Sequence, residues 1–280
     1  MKKSPPWQLV LRSYRNAEDP RQRAKYHIWQ AAIGLQGVDG LNPSPCFVKL
    51  VQKHIEGRLT LTSLEKQLYR HYKWIKWDEA LSGETWEADL VSLHIAQLLS
   101  DRSFRLEPME LQKIHHRLFK DVYDFAGSFR DYDIRKKEWI LNGKSVRYAD
   151  CSLIETSLNR IFAAEKGFDY KAVPVREGIS HLASFISQVW IIHPYGEGNT
   201  RTTSLFLMRY LQHLGVRMYI DVFTDAWYFR NALVRANYEE PQKNITPDLS
   251  YVELFLQNLL LKKENPLRNR ELHVDYPNIT

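Results

Sequence analysis

The sequence predicts an all-α protein that carries one small β-hairpin. Apolar residues recur every three or four positions in several segments, which is the spacing of a buried helix face. One stretch departs from this pattern: residues 130–149 hold Trp139 and Ile140 ahead of the dipeptide Asn142-Gly143, a strong short-range signal for a hairpin turn. The apolar fraction of 44% and the charged fraction of 26% are ordinary for a globular chain and exclude disorder throughout.

Turn signals divide the helical pattern into three parts. Residues 1–78 predict a small helical module, in which the turn cluster 37–45 separates the first helix from the next two. Residues 79–261 carry the hairpin and the other helices, and residues 262–280 form a polar tail that we expect to be extended. The predicted helices span residues 21–36, 45–54, 62–76, the second half of 78–100, 107–120, 152–165, 175–192, 201–214, 224–239 and 248–262.

The positive charge of the chain is concentrated in its N-terminal module. Residues 1–78 carry 14 Lys and Arg against 6 Asp and Glu, whereas the whole chain has 39 against 33. A basic segment can bind nucleic acid, but no recognisable nucleic-acid motif accompanies it, so we expect no nucleic-acid partner. A solvated helix face, or a surface that docks onto an acidic neighbour, explains the charge equally well.

Neither a membrane anchor nor a cleaved export signal is expected. No stretch approaches 18 consecutive apolar residues, and no apolar core follows the basic start. Two cysteines, Cys46 and Cys151, do not make a disulfide framework. We therefore expect a cytoplasmic protein with no membrane partner, while translocation as an effector by specialised secretion stays open.

The loop at residues 193–204 contains the backbone features of a phosphate site. A buried helix ends at His193, because Pro194 prevents its continuation. Gly196 and Gly198 let the backbone turn tightly and approach a ligand closely. The next helix begins directly afterwards, and the free N–H groups of its first turn attract anions.

Three side chains of the same loop add the chemistry of group transfer. Arg201 can fork onto phosphate oxygens, and Glu197 can hold Mg²⁺, which prefers carboxylate and phosphate oxygens. His193 can take a proton from a hydroxyl near neutral pH. Together they predict transfer of a phosphorus-centred group to a side-chain hydroxyl. The alternative is an ordinary helix-end histidine beside a glycine-rich loop.

This stretch resembles the signature of the Fic family, His-Pro-Phe-x-Asp/Glu-Gly-Asn-Gly-Arg-x-x-Arg. Tyr195 stands in place of the Phe, and the matching positions are His193, Pro194, Glu197, Gly198, Asn199 and Arg201. The resemblance extends over about residues 80–260 and implies the all-α Fic fold, a helical bundle with a hairpin flap. It also implies that AMP is transferred from ATP to a Ser, Thr or Tyr hydroxyl of a target protein.

The resemblance also implies a role for each matching residue. His193 becomes the general base and Glu197 the Mg²⁺ ligand, while Arg201 becomes the clamp on the nucleotide phosphates. The anion hole is formed at Gly198, Asn199 and Thr200. The full nucleotide-binding set is then Gly196, Gly198, Asn199, Thr200 and Arg201, joined at the base pocket by Asn231 and Tyr238.

The resemblance also implies a flap and a base pocket, which we assign by their positions in the chain relative to the motif. In the family a flap precedes the motif and pairs with the backbone of the target, which needs an exposed strand edge. The helix at 224–239 lies where the base pocket is lined, and core packing of Trp227 and Phe229 is the alternative for this helix. The flap residues expected to dock the target are Ile134, Trp139, Ile140, Asn142 and Gly143.

Two positions of the motif depart from the family. The last Arg, which normally binds the terminal phosphate of ATP, is Ser204, so ATP placement is weaker or another donor is used. The middle Gly is Thr200, which keeps an N–H group for the anion hole but adopts positive φ less easily.

The N-terminal module resembles an antitoxin fused to the transferase. Many Fic proteins are silenced by an inhibitory helix with the pattern Ser/Thr-x-x-x-Glu-Gly/Asn, whose Glu pairs with the last Arg of the motif. Here Ala32 replaces the Ser/Thr and Gln36 replaces the Glu before Gly37, and a second near-match ends at Glu56. A buried carboxylate is costly when its positively charged partner is missing. Because Ser204 replaces the Arg that would pair with the Glu, the replacement of the Glu by Gln36 forms a coherent pair of changes with it. Accidental similarity of an N-terminal helical domain is the alternative.

The sequence therefore predicts an Mg²⁺-dependent protein adenylyltransferase with ATP as its donor. One alternative is a Fic-fold transferase with another donor, which would transfer phosphate, UMP or phosphocholine. The other is a weakly active or non-catalytic protein that holds a partner with its flap. The expected partners are a target protein and the chain's own inhibitory module, and self-association is compatible with the helical surface. A bacterial toxin–antitoxin setting and an effector role both fit.

Overall fold

The computed structural model describes residues 6–74 and 79–276, and the all-α class is confirmed. Within these residues, short turns connect the α-helices, and the only β pairing is an isolated bridge between Glu240 and Ile245. The helices are α1 (Pro6–Leu11), α2 (Pro20–Gly34), α3 (Pro45–Ile55), α4 (Leu61–Trp74), α5 (Glu79–Ser100), α6 (Pro108–Phe119), α7 (Ile154–Lys166), α8 (Val175–Ile192), α9 (Asn199–His213), α10 (Ala226–Ala236) and α11 (Ser250–Leu261).

Local signals explain where several helices begin. Proline stands in the first turn of α2, α3 and α6, where its missing N–H group is not needed. The Ser44 hydroxyl accepts a hydrogen bond from the Phe47 N–H and so caps α3. Helix α5 already begins at Glu79, so it includes the first half of 78–100, for which no helix was predicted. The end of the predicted helix 62–76 and the predicted boundary at 78/79 reach outside the described residues.

The chain forms two compact units, and the first comprises the residues up to Asp101 together with Ile220–Ala226. Helix α5 therefore belongs to this unit, whereas the sequence prediction ended the N-terminal module at residue 78. Its core contains the fully buried Trp29, whose Nε1 donates to Nδ1 of His54 at 3.0 Å. Inside it, the Asp89 carboxylate accepts hydrogen bonds from Ser44 and from the Tyr72 hydroxyl.

The second unit comprises Arg102–Tyr219 and the residues from Trp227 onward. Its core is built around α8 and α9, and every residue of α9 from Asn199 to Leu211 is buried. Aromatic rings of α7, α8 and α9 meet there, with Phe162, Phe185 and Phe206 in mutual contact. The loop that joins α8 to α9 is therefore held at both ends by buried helices.

The predicted hairpin has its turn but not its strands. Asn142 and Gly143 both have positive φ, 55° and 78°, and the Lys144 N–H donates to the Leu141 carbonyl across them at 3.0 Å. The preceding residues Trp139–Leu141 form a 3₁₀ turn, because the Glu138 carbonyl accepts from the N–H groups of Leu141 and Gly143. This turn interrupts the alternation that a strand needs, so within the described residues the arms of the flap do not pair as a β-ladder.

The C-terminal tail is packed against the flap, although its polar composition predicted only an extended segment. It contains a 3₁₀ turn at Asn269–Leu272, in which Leu272 is fully buried. The Val274 N–H donates to the Ile140 carbonyl at 2.9 Å, and the Asn142 side chain donates to Asp275. The described part of the tail thus covers the tip of the flap. None of the described helices is both long and apolar enough to cross a membrane.

We expect Gly34→Ala to destabilise the first unit, with Gly37→Ala as its matched control. A Cβ atom at Gly34 would lie 2.4 Å from the Phe223 carbonyl oxygen and 2.7 Å from the Thr224 Cα, and backbone atoms cannot move aside. At Gly37, a Cβ atom would meet nothing within 4 Å. Thermal denaturation should show a loss of about 1–3 kcal/mol for Gly34→Ala and a change within about 0.5 kcal/mol for Gly37→Ala. Equal stabilities would contradict the close approach.

Candidate active site

The site is built on the loop between α8 and α9. Helix α8 ends at His193, which adopts the left-handed conformation with φ 50° and ψ 59°. This conformation is uncommon for a residue with a side chain, and it turns the chain sharply into Pro194. The imidazole of His193 is consequently held at the end of a buried helix, and the residue is only 3% exposed.

Arg130 holds the end of α8 in this conformation. Its Nε donates to the His193 carbonyl at 2.8 Å, and its terminal nitrogens donate to the carbonyls of Ile192 and Tyr132. The Arg130 backbone N–H also donates to the Pro194 carbonyl at 2.8 Å. Because the last carbonyls of a helix lack partners within the helix, this buried guanidinium supplies the hydrogen bonds that the turn at His193 needs.

The His193 imidazole is poised to act as a neutral base. Its Nδ1 lies 3.3 Å from the Trp190 carbonyl, an acceptor, so we assign the proton to Nδ1 and leave Nε2 with its lone pair. The ring packs against Tyr148, with 4.2 Å between the ring centroids. Burial lowers the pKa of His193 well below its ordinary value, and the positive charge of Lys136 lowers it further.

Asn199 and His115 fix the shape of the loop. The Asn199 side chain accepts from the Tyr195 N–H at 2.9 Å and donates to the Tyr195 carbonyl at 2.7 Å, so it closes the loop on itself. His115 of α6 accepts from the Gly127 N–H at Nδ1, and its Nε2 donates to the Glu197 carbonyl at 3.1 Å. Its ring stacks on Tyr195, and burial lowers its pKa to about 4, which keeps it neutral.

The start of α9 combines a helix N-terminus with a buried cation. Gly198 precedes the helix with φ 77° and lies against the Phe119 ring. The Arg201 guanidinium sits over the same ring, 4.8 Å from its centroid, and also donates to the Tyr123 hydroxyl at 3.3 Å. The positive end of the helix dipole and this cation lie within one turn of each other, which favours an anion.

The two positions that depart from the family motif face the interior. The Thr200 hydroxyl accepts a hydrogen bond from the Trp190 indole at 3.0 Å, so its side chain ties α9 to α8. Ser204 is fully buried, and its hydroxyl has no hydrogen-bond partner among the described residues.

Glu197 meets a lysine of the flap. Lys136 Nζ lies 3.2 Å and 3.3 Å from the two carboxylate oxygens of Glu197, and the Gly198 N–H donates to one of them. The Glu197 side chain is 43% exposed, so the carboxylate remains open to solvent. A single accessible carboxylate beside a helix N-terminus is a donor set that suits Mg²⁺, which takes most of its other ligands from phosphate and water.

The predicted base-pocket residues are not bonded to this loop. Asn231 donates to the Asn269 side chain of the tail at 2.6 Å, and the Tyr238 hydroxyl donates to Glu240 at 2.8 Å. Phe229 is fully buried, as the core-packing alternative expects. In the described chain no hydrogen bond joins Asn231 or Tyr238 to residues 193–204.

The predicted flap residues differ in exposure. Trp139 is 56% exposed, and Asn142 and Gly143 are also exposed. Ile140 is fully buried and Ile134 is half-buried. The base of the flap is anchored by the buried carboxylate of Glu138, which accepts two hydrogen bonds from Arg230 at 2.6 Å and 2.9 Å.

The residues of the predicted inhibitory motif lie in the first unit. Ala32 and Gln36 are buried, and the Gln36 amide donates to the Ala32 carbonyl at 3.0 Å within the same turn. Gly37 is exposed. The pairing of Gln36 with Ser204, and inhibition by this module, stay predictions.

Sequence reasoning missed the residues that shape the loop from a distance. Arg130 and Lys136 lie in the segment 130–149 that carries the hairpin signal, and no local spacing marks them as partners of the loop. His115 lies on a predicted helix, and nothing in its local pattern indicates that its hydrogen-bond partners are the Glu197 carbonyl and the Gly127 N–H.

Comparison with known proteins identifies the class to which this site belongs. Residues 105–211 match the model of the Fic/DOC family. This segment of the chain is therefore similar to the Fic/DOC family, and the recognition of the Fic family from its motif is confirmed.

Two curated relatives and one solved structure resemble the chain. The protein adenylyltransferase VbhT of Bartonella schoenbuchensis is 27% identical over an alignment of 174 residues, and the match covers 56% of this chain and 34% of the relative. The probable protein adenylyltransferase y4lH of Sinorhizobium fredii is 32% identical over 108 residues, 38% of this chain and 52% of the relative. The chain thus spans about a third and about half of these relatives.

The solved structure is the N-terminal FIC domain of the Bep8 protein, a VirB-translocated effector of Bartonella sp. 1-1C. It is 16% identical with a TM-score of 0.49, and the match covers 72% of this chain and 89% of that one.

Gly198→Ala should destabilise the loop more than Gly215→Ala, which changes the other end of α9. Both glycines have positive φ, 77° and 71°, so each variant bears the cost of a left-handed alanine, about 1–2 kcal/mol. Only at Gly198 would the new Cβ atom lie 2.4 Å from the Phe119 ring. We expect Gly198→Ala to lose about 1–3 kcal/mol more in chemical denaturation. Equal losses would show that the loop can move away from Phe119.

His193 should remain neutral at pH 6.5, where an ordinary histidine is half protonated. Because burial lowers its pKa, the imidazolium should form only at a clearly lower pH. Long-range nitrogen–proton NMR spectra of the metal-free protein report the charge and tautomer of each imidazole, and the spectrum of His193→Ala assigns the signal. A signal that is half protonated at pH 6.5 would contradict the burial argument.

Proposed function

We propose that this protein is a Fic-type adenylyltransferase that transfers AMP from ATP to a hydroxyl side chain of a target protein. The observation that carries the proposal is the buried, neutral His193 at the end of α8, directly ahead of a helix N-terminus and Arg201. Both curated relatives are named as protein adenylyltransferases, and they share a segment with this chain rather than their whole length.

In this proposal the start of α9 holds the donor phosphates. The N–H groups of its first turn and the Arg201 guanidinium provide hydrogen bonds and positive charge for phosphate oxygens. Glu197 would hold Mg²⁺ after its carboxylate separates from Lys136. When bound, the ion neutralises charge on the phosphates.

His193 then moves one proton. Its Nε2 takes the proton of the target hydroxyl while the hydroxyl oxygen forms a bond to the α-phosphorus of ATP. The bond between that phosphorus and the oxygen bridging to the β-phosphate breaks, and pyrophosphate leaves. The hydrogen bond from Nδ1 to the Trp190 carbonyl keeps the ring oriented and favours its transient positive charge.

Ser204 supports a second candidate, a transferase of the same fold with another donor. A serine at this position of α9 provides no positive charge for a terminal phosphate, and Ser204 is fully buried. Transfer of phosphate, UMP or phosphocholine is therefore retained as the alternative. The non-catalytic alternative is less well supported, because His193, Glu197 and Arg201 are all present in the loop.

A labelled-donor experiment tests the proposal. Purified protein and Mg²⁺ are incubated with cell lysate and with ATP labelled at either the α- or the γ-phosphate. We expect protein labelling from α-labelled ATP only, lost in His193→Ala by a factor of about 100 or more. His213→Ala, which changes an exposed histidine at the end of α9, is the matched control and should retain activity.

The other outcomes separate the alternatives. Labelling from γ-labelled ATP alone would replace adenylyl transfer by phosphate transfer. The absence of label from both forms would contradict the use of ATP, and UTP and CDP-choline would then distinguish another donor from a binding role. Equal labelling by His193→Ala and the unchanged protein would remove His193 from the mechanism.

A further inference from the structure

A wide groove lies between the two arms of the flap. Its volume is about 1050 Å³, and it is lined by residues 133–137 on one arm and 143–150 on the other. Tyr148 lines its inner end, and the same ring contacts the His193 imidazole at 4.2 Å. A chain segment that lies in the groove is therefore separated from the residue proposed as the base by the ring of Tyr148.

The backbone of both arms is available to such a segment. Within the described residues, Arg135, Lys137 and Arg147 make no backbone hydrogen bond. The tip of the flap is different, because the Ile140 carbonyl already accepts from the Val274 N–H of the tail. An extended peptide can thus pair with the arms, while the tip is covered by the chain's own C-terminal segment.

The groove is strongly basic. Its lining includes five cationic side chains, Arg135, Lys136, Lys137, Lys144 and Arg147. Two of them are already paired, Lys136 with Glu197 and Lys144 with Glu240. The other three are exposed, and none of the ion pairs within the described chain includes them.

The two acidic residues of the lining are engaged locally. Asp133 accepts from the Cys151 N–H at 2.9 Å and lies 3.6 Å from Arg130. Asp150 accepts from the Ser152 N–H and hydroxyl. Neither carboxylate contacts the three exposed cations, so positive charge dominates the groove.

The spacing of the cations matches an extended ligand. Arg135 and Lys137 are two residues apart and exposed, whereas Lys136 between them turns to Glu197. On the other arm, Arg147 is exposed between the buried Val146 and Tyr148. This alternation is that of an extended chain, so acidic residues at alternate positions of a peptide can meet the cations in register.

We infer that the flap groove selects target segments in which acidic residues surround the hydroxyl that is modified. The inference rests on the proposed function, because that function supplies the target hydroxyl that is modified. It adds to that function the charge of the target segment around the hydroxyl. Ion pairs of this kind are exposed, so each contributes modestly, and their sum gives preference rather than tight binding.

The test measures peptide binding by the full chain without relying on transfer. Short fluorescein-labelled peptides with a central serine carry either Asp and Glu at alternate positions or Asn and Gln at the same positions. Fluorescence anisotropy should show tighter binding of the acidic peptide at low salt, and the difference should shrink as salt is added. The triple variant Arg135→Gln, Lys137→Gln, Arg147→Gln should weaken acidic-peptide binding about tenfold.

The matched control neutralises three exposed lysines of the first unit, with the changes Lys49→Gln, Lys53→Gln and Lys66→Gln. It alters the net charge equally and should change binding less than about twofold. Equal effects of the two triple variants, or equal affinity for acidic and neutral peptides, would overturn the inference. Tighter binding of single-stranded RNA or of anionic vesicles than of the acidic peptide would also overturn the inference, if the groove triple variant abolishes that binding.

The labelled-donor experiment keeps the two proposals apart. Acidic-peptide binding that depends on the groove cations, with no His193-dependent transfer, would leave the inference standing and reject the proposed function. His193-dependent transfer without any preference for acidic peptides would do the reverse.

Discussion

The site depends on the hydrogen bonds that Arg130 makes at the end of α8. A left-handed residue with a side chain costs on the order of 1–3 kcal/mol, and His193 adopts this conformation where the helix carbonyls have lost their partners. Arg130 gives hydrogen bonds to the carbonyls on both sides of the turn, at Ile192 and His193. Removing the guanidinium would leave buried carbonyls unsatisfied, at about 1–3 kcal/mol each, so one side chain stabilises both the turn and the position of the imidazole.

The backbone of the loop is held before any ligand arrives, because hydrogen bonds within the second unit fix it at Tyr195 and at Glu197. Asn199 closes it through Tyr195, and the neutral His115 supports the Glu197 carbonyl. A site organised in this way does not need to reorder its donors when charge develops on a phosphate. Burial of His193 has the same consequence for the proposed base, since it lowers the pKa and keeps the imidazole neutral.

The sequence predicted the parts that local chemistry decides. The predicted helix 107–120 corresponds to α6, and Asn142-Gly143 correctly predicted a turn, because the local residue types decide the backbone conformation in both places. The strands of the flap were not predictable in the same way, since the carbonyl of Glu138 accepts two N–H groups and residues Trp139–Leu141 form a 3₁₀ turn between the two arms. The motif predicted the functional loop at residues 193–204. Arg130, however, lies 63 residues from His193 in the chain, and only the fold brings the two residues together.

The ion pair between Lys136 and Glu197 links the flap to the start of α9. Both side chains are partly exposed, so the pair contributes at most about 1 kcal/mol and separates easily. A divalent cation at Glu197 would repel the Lys136 ammonium, whereas the phosphates of a donor would attract it. The lysine would therefore have a favourable partner both without a nucleotide and with one bound. Because Lys136 belongs to the same arm as Arg135 and Lys137, its move from Glu197 to phosphate would leave the two exposed cations where a peptide reaches them.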